Sequence, residues 1–516
     1  MNTADHVDRL AARAPDRIGL VDEGGRLTWA EVAARSRRLA AALVGLGLPR
    51  DAAVYEQLPA SIELYLLRLA CERAGLRLVT VPPAFRQAEM ARLVAATRPV
   101  VAVVPGTWRG ADYVALLDGL PERPRRVLTL RRFSGPGGDT LETLEASVRD
   151  ADAGAVLAGR AYRAEECSQL GTTSGSTGTP KLVNVRIGGR QRTGAAHIQR
   201  FGVREDDVVF ALTPLITGTA DALGYHGAPL VGCRLVLTEH FDAEAACAAI
   251  VGHRATVVIG VPTIAMRLLA APAAAAIPRG QVRLFLSHAA ILPRPAAEAL
   301  EVRLGCRVMQ AYGLFDFGGV SATSAGDPDD VRLTTVGRPL DGNELVVLDE
   351  RGQLLPPGTP GRLYVRGAHA NGGYFGAPEL TREAWANGYY DLMEIGYQDA
   401  QGNVTLLGRA RDLIIRGGQN LFPAEIEALL ARHPDVAEAA VIGLPHADLG
   451  EIACACVVRR PGARVDAEGL LAFLRAQGIA AFKRPERFEF FETLPTLATG
   501  HKVDRRQLRA SVLKGA

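Results

Sequence analysis

Eleven consecutive residues, Gly171-Thr172-Thr173-Ser174-Gly175-Ser176-Thr177-Gly178-Thr179-Pro180-Lys181, constrain this chain more than any other stretch. They comprise three glycines, six hydroxyl residues, one proline and one lysine, with nothing apolar among them, so the segment is not core. Glycine lets a backbone turn sharply and bring amides together. Converging amides, hydroxyls and one lysine suit phosphate oxygens. The pattern is not a Walker loop, which runs Gly-Lys-Ser/Thr into a helix. Here Pro180 precedes Lys181, and Leu182-Val183-Asn184-Val185-Arg186 reads as a strand. A Ser/Gly/Thr linker has a similar composition, but a linker does not need Pro180-Lys181 leading straight into an apolar strand.

At 516 residues the chain exceeds a single core and is expected to hold at least two domains. Its charge is nearly balanced, with 59 basic and 56 acidic residues. Charge therefore gives no support to a nucleic-acid or membrane partner. No uninterrupted apolar run approaches a bilayer span. The opening Met1-Asn2-Thr3-Ala4-Asp5-His6 has neither the basic nor the apolar part of a signal peptide. Seven scattered cysteines show no ligand spacing and favour a reducing, cytoplasmic setting. Cys454 and Cys456 share one face of an expected strand and read as buried thiols.

Along the chain, Thr28 and Glu31 form a capping box at the start of a helix that runs toward Leu48. A strand–helix–strand rhythm continues to about residue 300 and implies α/β layers. Within it Val208–Leu212, Arg234–Leu237, Thr256–Val261 and Val282–Ser287 read as buried parallel strands. Ligands of open parallel sheets sit beyond the strands' carboxyl ends. Thr213-Pro214, Gly260-Val261-Pro262 and Ser287-His288 are therefore expected to face one cleft. From Val336 to Leu406 frequent turns separate short alternating segments, which predicts antiparallel sheet. After Gly408 a compact α+β unit is expected, with helices opening at Pro423 and Asp466 and strands near Val436–Gly443, Ala453–Val458 and Phe488–Phe491. The expected division is 1–410 and 411–516.

The loop string resembles the phosphate loop of the adenylate-forming superfamily, which includes acyl- and aryl-CoA ligases, peptide-synthetase adenylation domains and luciferases. Further motifs follow in family order over nearly the whole chain. Ala311-Tyr312-Gly313-Leu314-Phe315-Asp316 resembles Tyr-Gly-x-Thr-Glu, with Phe315 in place of Thr and Asp316 in place of Glu. Gly388 to Gly396 resembles Gly-Trp-(aromatic)-x-Thr-Gly-Asp, with Leu392-Met393-Glu394 in place of Thr-Gly-Asp. Gly408-Arg409-Ala410-Arg411-Asp412 and Arg416-Gly417-Gly418-Gln419-Asn420 resemble the family hinge and the loop after it. Leu494-Pro495 and Gly500-His501-Lys502-Val503-Asp504-Arg505 resemble the loop that carries the catalytic lysine, with His501 inserted.

The resemblance implies roles residue by residue. Thr172, Thr173, Ser174, Gly175, Ser176, Thr177 and Gly178 would hold phosphate, with Lys181 and Lys502 as catalytic lysines. Tyr312 and Gly313 would lie by the adenine, Asp316 would help hold Mg2+, and Glu394 and Arg409 would hold ribose or phosphate. Gly417 and Gly418 would border the pantetheine channel, and Arg411 would be the hinge. The acid pocket would draw on Ile216, Thr217, Gly218, His226, His288 and Ala289; Ile216-Thr217 stand where siderophore aryl-acid activators show His-Asn. The implied fold has a large N-terminal α/β region with layered sheets and an antiparallel barrel-like subdomain, then a small mobile α+β lid.

The implied reaction turns a bulky carboxylic acid and ATP into acyl-AMP, then transfers the acyl group to CoA. A carrier-protein phosphopantetheine is the rival acceptor, and a non-catalytic binding protein on this fold is the rival class. The departures at Asp316, Leu392-Met393-Glu394 and His501 all touch the ATP-using half-reaction. They point either to an enzyme stronger in thioesterification, with acyl-AMP supplied by a partner adenylating enzyme, or to substitutions that compensate one another so that both steps run.

Overall fold

The computed structural model describes residues 1–134, 139–172, 181–216, 218–417, 419–496 and 503–514. Two α/β sheets form its body. The larger has nine strands in the order Arg338–Pro339, Gly318–Ala322, Arg307–Leu314, Leu284–His288, Val257–Gly260, Val208–Ala211, Arg234–Leu237, Ile18–Asp22 and Gly25–Thr28. Its inner pairs are parallel and its margins antiparallel. The four runs expected as buried parallel strands are all here, and their apolar character follows from helices covering both faces. The smaller sheet has six strands, Leu182–Arg186, Cys167–Thr172, Arg77–Thr80, Ala53–Glu56, Val101–Val104 and Arg126–Thr129.

The two sheets share one core. Val54, Val101 and Leu128 from the smaller sheet join Val209, Ile259, Leu286 and Met309 from the larger in a single apolar cluster. Helices Trp29–Gly45, Ile62–Ala74 and Ile187–Phe201 contribute to that cluster. The first begins at the Thr28–Glu31 capping box, as its sequence requires. Ile62–Ala74 is buried nearly all round and stops at Gly75, whose φ of +66° lies in the left-handed region. The far face of the larger sheet packs Phe210, Val258 and Phe285 against helices Ala243–His253, Pro262–Ala270 and Arg294–Leu304. A helix at the N-terminus, Thr3–Arg13, was not anticipated; it buries Val7 and Leu10 in the shared core.

The turn-rich stretch forms a five-stranded antiparallel sheet of Asn343–Leu348, Gly361–Gly367, Tyr389–Gln398, Trp385–Ala386 and Val404–Arg409. It curls around its own core of Leu345, Leu363, Val365, Tyr390 and Leu392. The last sheet contains Gln419–Leu421, Ile414–Arg416, Gly450–Arg459, Val436–His446 and Arg487–Phe491. Its two faces have separate cores, one with Ile426 and Leu470 and the other with Leu508 and Val512. Cys454 and Cys456 both face the second core. Among the described residues no helix is long and apolar enough to cross a membrane.

The shared core predicts an asymmetric response to truncation. Leu286→Ala removes a fully buried side chain between the sheets and is expected to destabilise by about 2–5 kcal/mol. Leu354→Ala, at a position 71% exposed, should stay within about 0.5 kcal/mol. Urea unfolding midpoints of the two variants test this contrast.

Candidate active site

The strands Cys167–Thr172 and Leu182–Arg186 are antiparallel partners, with Thr172 opposite Leu182. The loop between them thus joins two antiparallel strands. Thr173, Ser174, Gly175, Ser176, Thr177 and Gly178 lie outside the described residues, as do Thr217, Gly418 and Lys502. Lys181, at the hairpin's return, sets its ammonium 4.7 Å from the centroid of the Tyr374 ring. The Tyr374 hydroxyl donates to Asp316 Oδ2 at 2.6 Å and lies 3.2 Å from the Tyr390 hydroxyl. Lys181 and Asp316 therefore meet across one tyrosine. Burial, then the Asp316 charge, pushes the Tyr374 phenol above its ordinary range, so it stays a donor.

Asp316 reaches this place through a locked turn. Strand Arg307–Leu314 turns back into Gly318–Ala322. Gly313 is needed there, because a Cβ would fall 2.5 Å from the Gly318 carbonyl oxygen. Within the turn the Phe315 carbonyl accepts from Arg190 Nη2 at 3.1 Å and from Asn371 Nδ2 at 2.8 Å. The Arg190 guanidinium also lies 4.8 Å from the Phe315 ring centroid. The ring's far side presses on Gly171, where a Cβ would come within 2.2 Å of Phe315 Cζ. The residue that departs from the family pattern thus seals the turn against the stem of the phosphate loop.

Arg190 belongs to a buried ionic cluster. Its Nε is 3.4 Å from Asp221 Oδ2, and Arg68 Nη2 is 2.7 Å from Asp221 Oδ1. Arg68 also donates to Gln169 on the hairpin and to the Leu215 carbonyl. Burial pushes the Asp221 carboxyl up, but the Arg68 and Arg190 guanidinium groups outweigh it and hold the carboxyl below its ordinary range. Asp221 sits in a π-helix, Ala220–Gly227, packed on helix Ile187–Phe201.

Glu394 and Arg409 are cross-strand partners 3.6 Å apart in the antiparallel sheet. Both act electrostatically on the Tyr312 phenol, whose oxygen is buried and has no hydrogen-bond partner among the described residues. Met393, where the family has glycine, takes φ +55° with 45% of its surface exposed. Leu392, in place of Thr, turns inward to the antiparallel sheet's core. Arg411 lies in a 3-10 turn, Ala410–Asp412, with Nε 3.5 Å from Asp412. Gly417 has φ +54° and donates its N–H to the Leu449 carbonyl.

The expected pocket residues divide. Gly218 and His288 meet, since a Cβ on Gly218 would lie 2.9 Å from His288 Nδ1. The other ring nitrogen of His288 is 3.2 Å from Thr213 Oγ1. Ala289 follows at φ +70°, in the left-handed region that favours glycine. Ile216 is buried in the shared core. His226 is engaged elsewhere: its Nδ1 is 2.7 Å from Thr3 Oγ1 on the N-terminal helix, and its Nε2 is 3.9 Å from Asp221. Burial pulls its pKa down to about 3, so it is neutral.

Sequence reasoning missed Tyr374, Tyr390, Asn371, Arg190 and Asp221. Gly372-Gly373 before Tyr374 was an available turn signal; the partners of the other four lie far off in the chain. A Mg2+ ion usually takes one or two carboxylates, with water and substrate phosphates completing its shell. Asp316 alone fits that mode, and no group of three or more His, Cys, Asp or Glu among the described residues makes a protein cage.

Two α/β sheets, a curled antiparallel sheet and a small α+β unit are the architecture of an adenylate-forming enzyme of the acid–thiol ligase type. The chain belongs to the AMP-binding enzyme family, whose description matches residues 7–375, with the AMP-binding enzyme C-terminal domain at 425–501. It is similar to a 2-hydroxy-7-methoxy-5-methyl-1-naphthoate–CoA ligase of Streptomyces carzinostaticus, at 32% identity over 98% of this chain and 92% of that one. It is also similar to pyochelin synthase PchD of Pseudomonas aeruginosa, at 33% identity over 98% of this chain and 92% of that one. ATP-bound MatB from Rhodopseudomonas palustris shares 29% identity and superposes with a TM-score of 0.87 over 99% of both chains.

The packing of Phe315 on Gly171 is testable by rescue. Gly171→Ala is expected to destabilise by about 1–3 kcal/mol through overpacking. Adding Phe315→Ala opens the space and should recover most of that loss, since contacting sites couple. Thermal unfolding of the two single variants and the double variant measures the coupling; additive losses would contradict the contact.

Proposed function

We propose that this enzyme makes the CoA thioester of a bulky aryl, alicyclic or terpenoid carboxylic acid through an acyl-AMP intermediate. In the first half-reaction a carboxylate oxygen attacks the α-phosphorus of ATP and pyrophosphate leaves. In the second, the CoA thiol loses its proton, sulfur attacks the acyl carbon, and AMP leaves. The observations that support this reading are that Lys181 and Asp316 meet at Tyr374, and that Glu394 and Arg409 pair near Tyr312, four residues before Asp316.

In this reading Thr172 and the loop that follows it hold phosphate oxygens, and Lys181 and Lys502 supply positive charge where negative charge develops. Glu394 and Arg409 hold the ribose side, and Tyr312 and Gly313 border the base. Mg2+, held by Asp316, would neutralise triphosphate oxygens when bound. The chain works as two units, 1–410 and 411–516. Rotation about Arg411 exchanges Lys502 for the Gly417-Gly418 segment between half-reactions.

We further propose that adenylation is the weaker half-reaction and that a partner adenylating enzyme can supply acyl-AMP. Three local features support this. Glu394 is already opposed to Arg409, Met393 holds a backbone conformation that favours glycine, and Phe315 removes a hydroxyl beside the phosphate loop. A misplacement of ~1 Å can lower a rate roughly a hundredfold.

Two assays separate the steps. Synthetic acyl-AMP with CoA should give thioester rapidly, while the matching acid with ATP and CoA should give it slowly, both followed by mass spectrometry and pyrophosphate release. Equal rates would remove the weak-adenylation proposal, and thioester formed only on a carrier protein would move the acceptor from CoA. Lys181→Ala should weaken AMP-ester binding by about 1.5–3 kcal/mol, one charge-assisted contact. Met393→Gly relieves a left-handed residue worth about 1–2 kcal/mol and should raise pyrophosphate release more than thioester formation from acyl-AMP.

A further inference from the structure

His197 stands in the third turn of helix Ile187–Phe201 with only 3% of its surface exposed. Neither ring nitrogen has a hydrogen-bond partner among the described residues. Its ring stacks on Phe201 at 5.1 Å. Buried polar groups are nearly always satisfied, and an exception calls for a missing partner. Other buried histidines here have theirs. His226 meets Thr3, and His369 is held between Thr193 and the Asp341 carbonyl.

The fold places this imidazole between its helix and the larger sheet. One turn before it, Thr193 packs against Gly319; one turn after it, Arg200 donates to the Ala322 carbonyl. His197 therefore lies above strand Gly318–Ala322. Across the sheet, Ala322 is opposite Ala311, and Ala311 is opposite His288, the last residue of its parallel strand. Ala196, Ala311 and Ala322 belong to the shared apolar cluster, so this row is small and non-polar apart from the two histidines. His369, then His288 and Arg200, act electrostatically on His197. Burial first, then those groups, pulls the His197 pKa down to about 3. The ring is neutral at working pH, with one N–H donor and one nitrogen acceptor.

Resting on the acid-activating function above, we propose that His197 determines specificity by hydrogen-bonding a neutral hydroxyl or carbonyl group on the part of the acid farthest from its carboxylate. Several features fit. In the proposed reaction the acid's carboxylate lies near Lys181 and Asp316, and under this proposal the remainder extends along the helix toward His197. Small residues leave room for a fused or alicyclic skeleton. A neutral imidazole in an apolar surround matches an uncharged polar group and offers no charge to a second carboxylate.

The test needs no turnover. Sulfamoyl-adenosine mimics of the acyl-adenylate are prepared from naphthoic acid and from its monohydroxylated derivatives, with the hydroxyl on each position of the ring remote from the carboxyl. Calorimetric binding to the full-length enzyme is compared with that of His197→Leu and His197→Asn. At least one hydroxylated mimic should bind the wild type roughly tenfold or more tighter than the parent. That ratio should collapse toward one in His197→Leu and largely survive in His197→Asn, which keeps a donor and an acceptor. A ratio near one for every hydroxylated mimic in the wild type, or an undiminished ratio in His197→Leu, overturns the proposal while leaving the acid-activating reading intact. Failure of every mimic to bind overturns both.

Discussion

A fully buried carboxylate, Asp221, holds two guanidinium groups that come from different helices. Arg68 belongs to the helix between the sheets and also grips the phosphate-loop hairpin through Gln169. Arg190 begins the helix after the hairpin and grips the turn that presents Asp316. A single anion thus ties together the hairpin, the metal-candidate turn and both helices. In a low-dielectric interior such a pair is geometry-sensitive, because removing one member leaves an uncompensated charge. The orientation of the whole cleft depends on this cluster more than on any surface ion pair.

The departures from the family pattern become intelligible as packing. Phe315 fills space against Gly171 and under Arg190, so a lost hydroxyl is exchanged for rigidity of the turn. Asp316, shorter than Glu, is met by the Tyr374 hydroxyl, which fixes where the retracted carboxylate points. Leu392 joins the antiparallel core, leaving Met393 outside with a positive φ. Each change is accommodated by local packing, and the proposed weakness in adenylation rests on how these changes place charge around phosphate and ribose. Electrostatic catalysis depends on such placement, while thiol attack on an already activated acyl group demands less of it.

Local patterns in the sequence determined much of the fold. The parallel strands, the Thr28–Glu31 cap, the strand after the phosphate loop, the antiparallel stretch and the helices opening near Pro423 and Asp466 depend on neighbours within a few residues. Alternation, capping and turn chemistry are short-range, so they can be read from one chain. Tyr312, Asp316, Glu394 and Arg409 could be singled out because they sit inside recognisable motifs.

Only the tertiary structure decided how those motifs meet. Arg190 and Phe315 are 125 residues apart, and Tyr374 and Asp316 are 58 apart. Nothing local marks such partners, because their contact follows from the stacking of sheets and helices. His226 shows the same limit: its sequence neighbourhood suggested the acid pocket, while packing of the N-terminal helix ties it to Thr3. His197 shows it most plainly. A histidine in a helix carries no sign of burial or of missing partners until the sheet beneath it is in place, since satisfaction of a polar group is a property of the assembled interior.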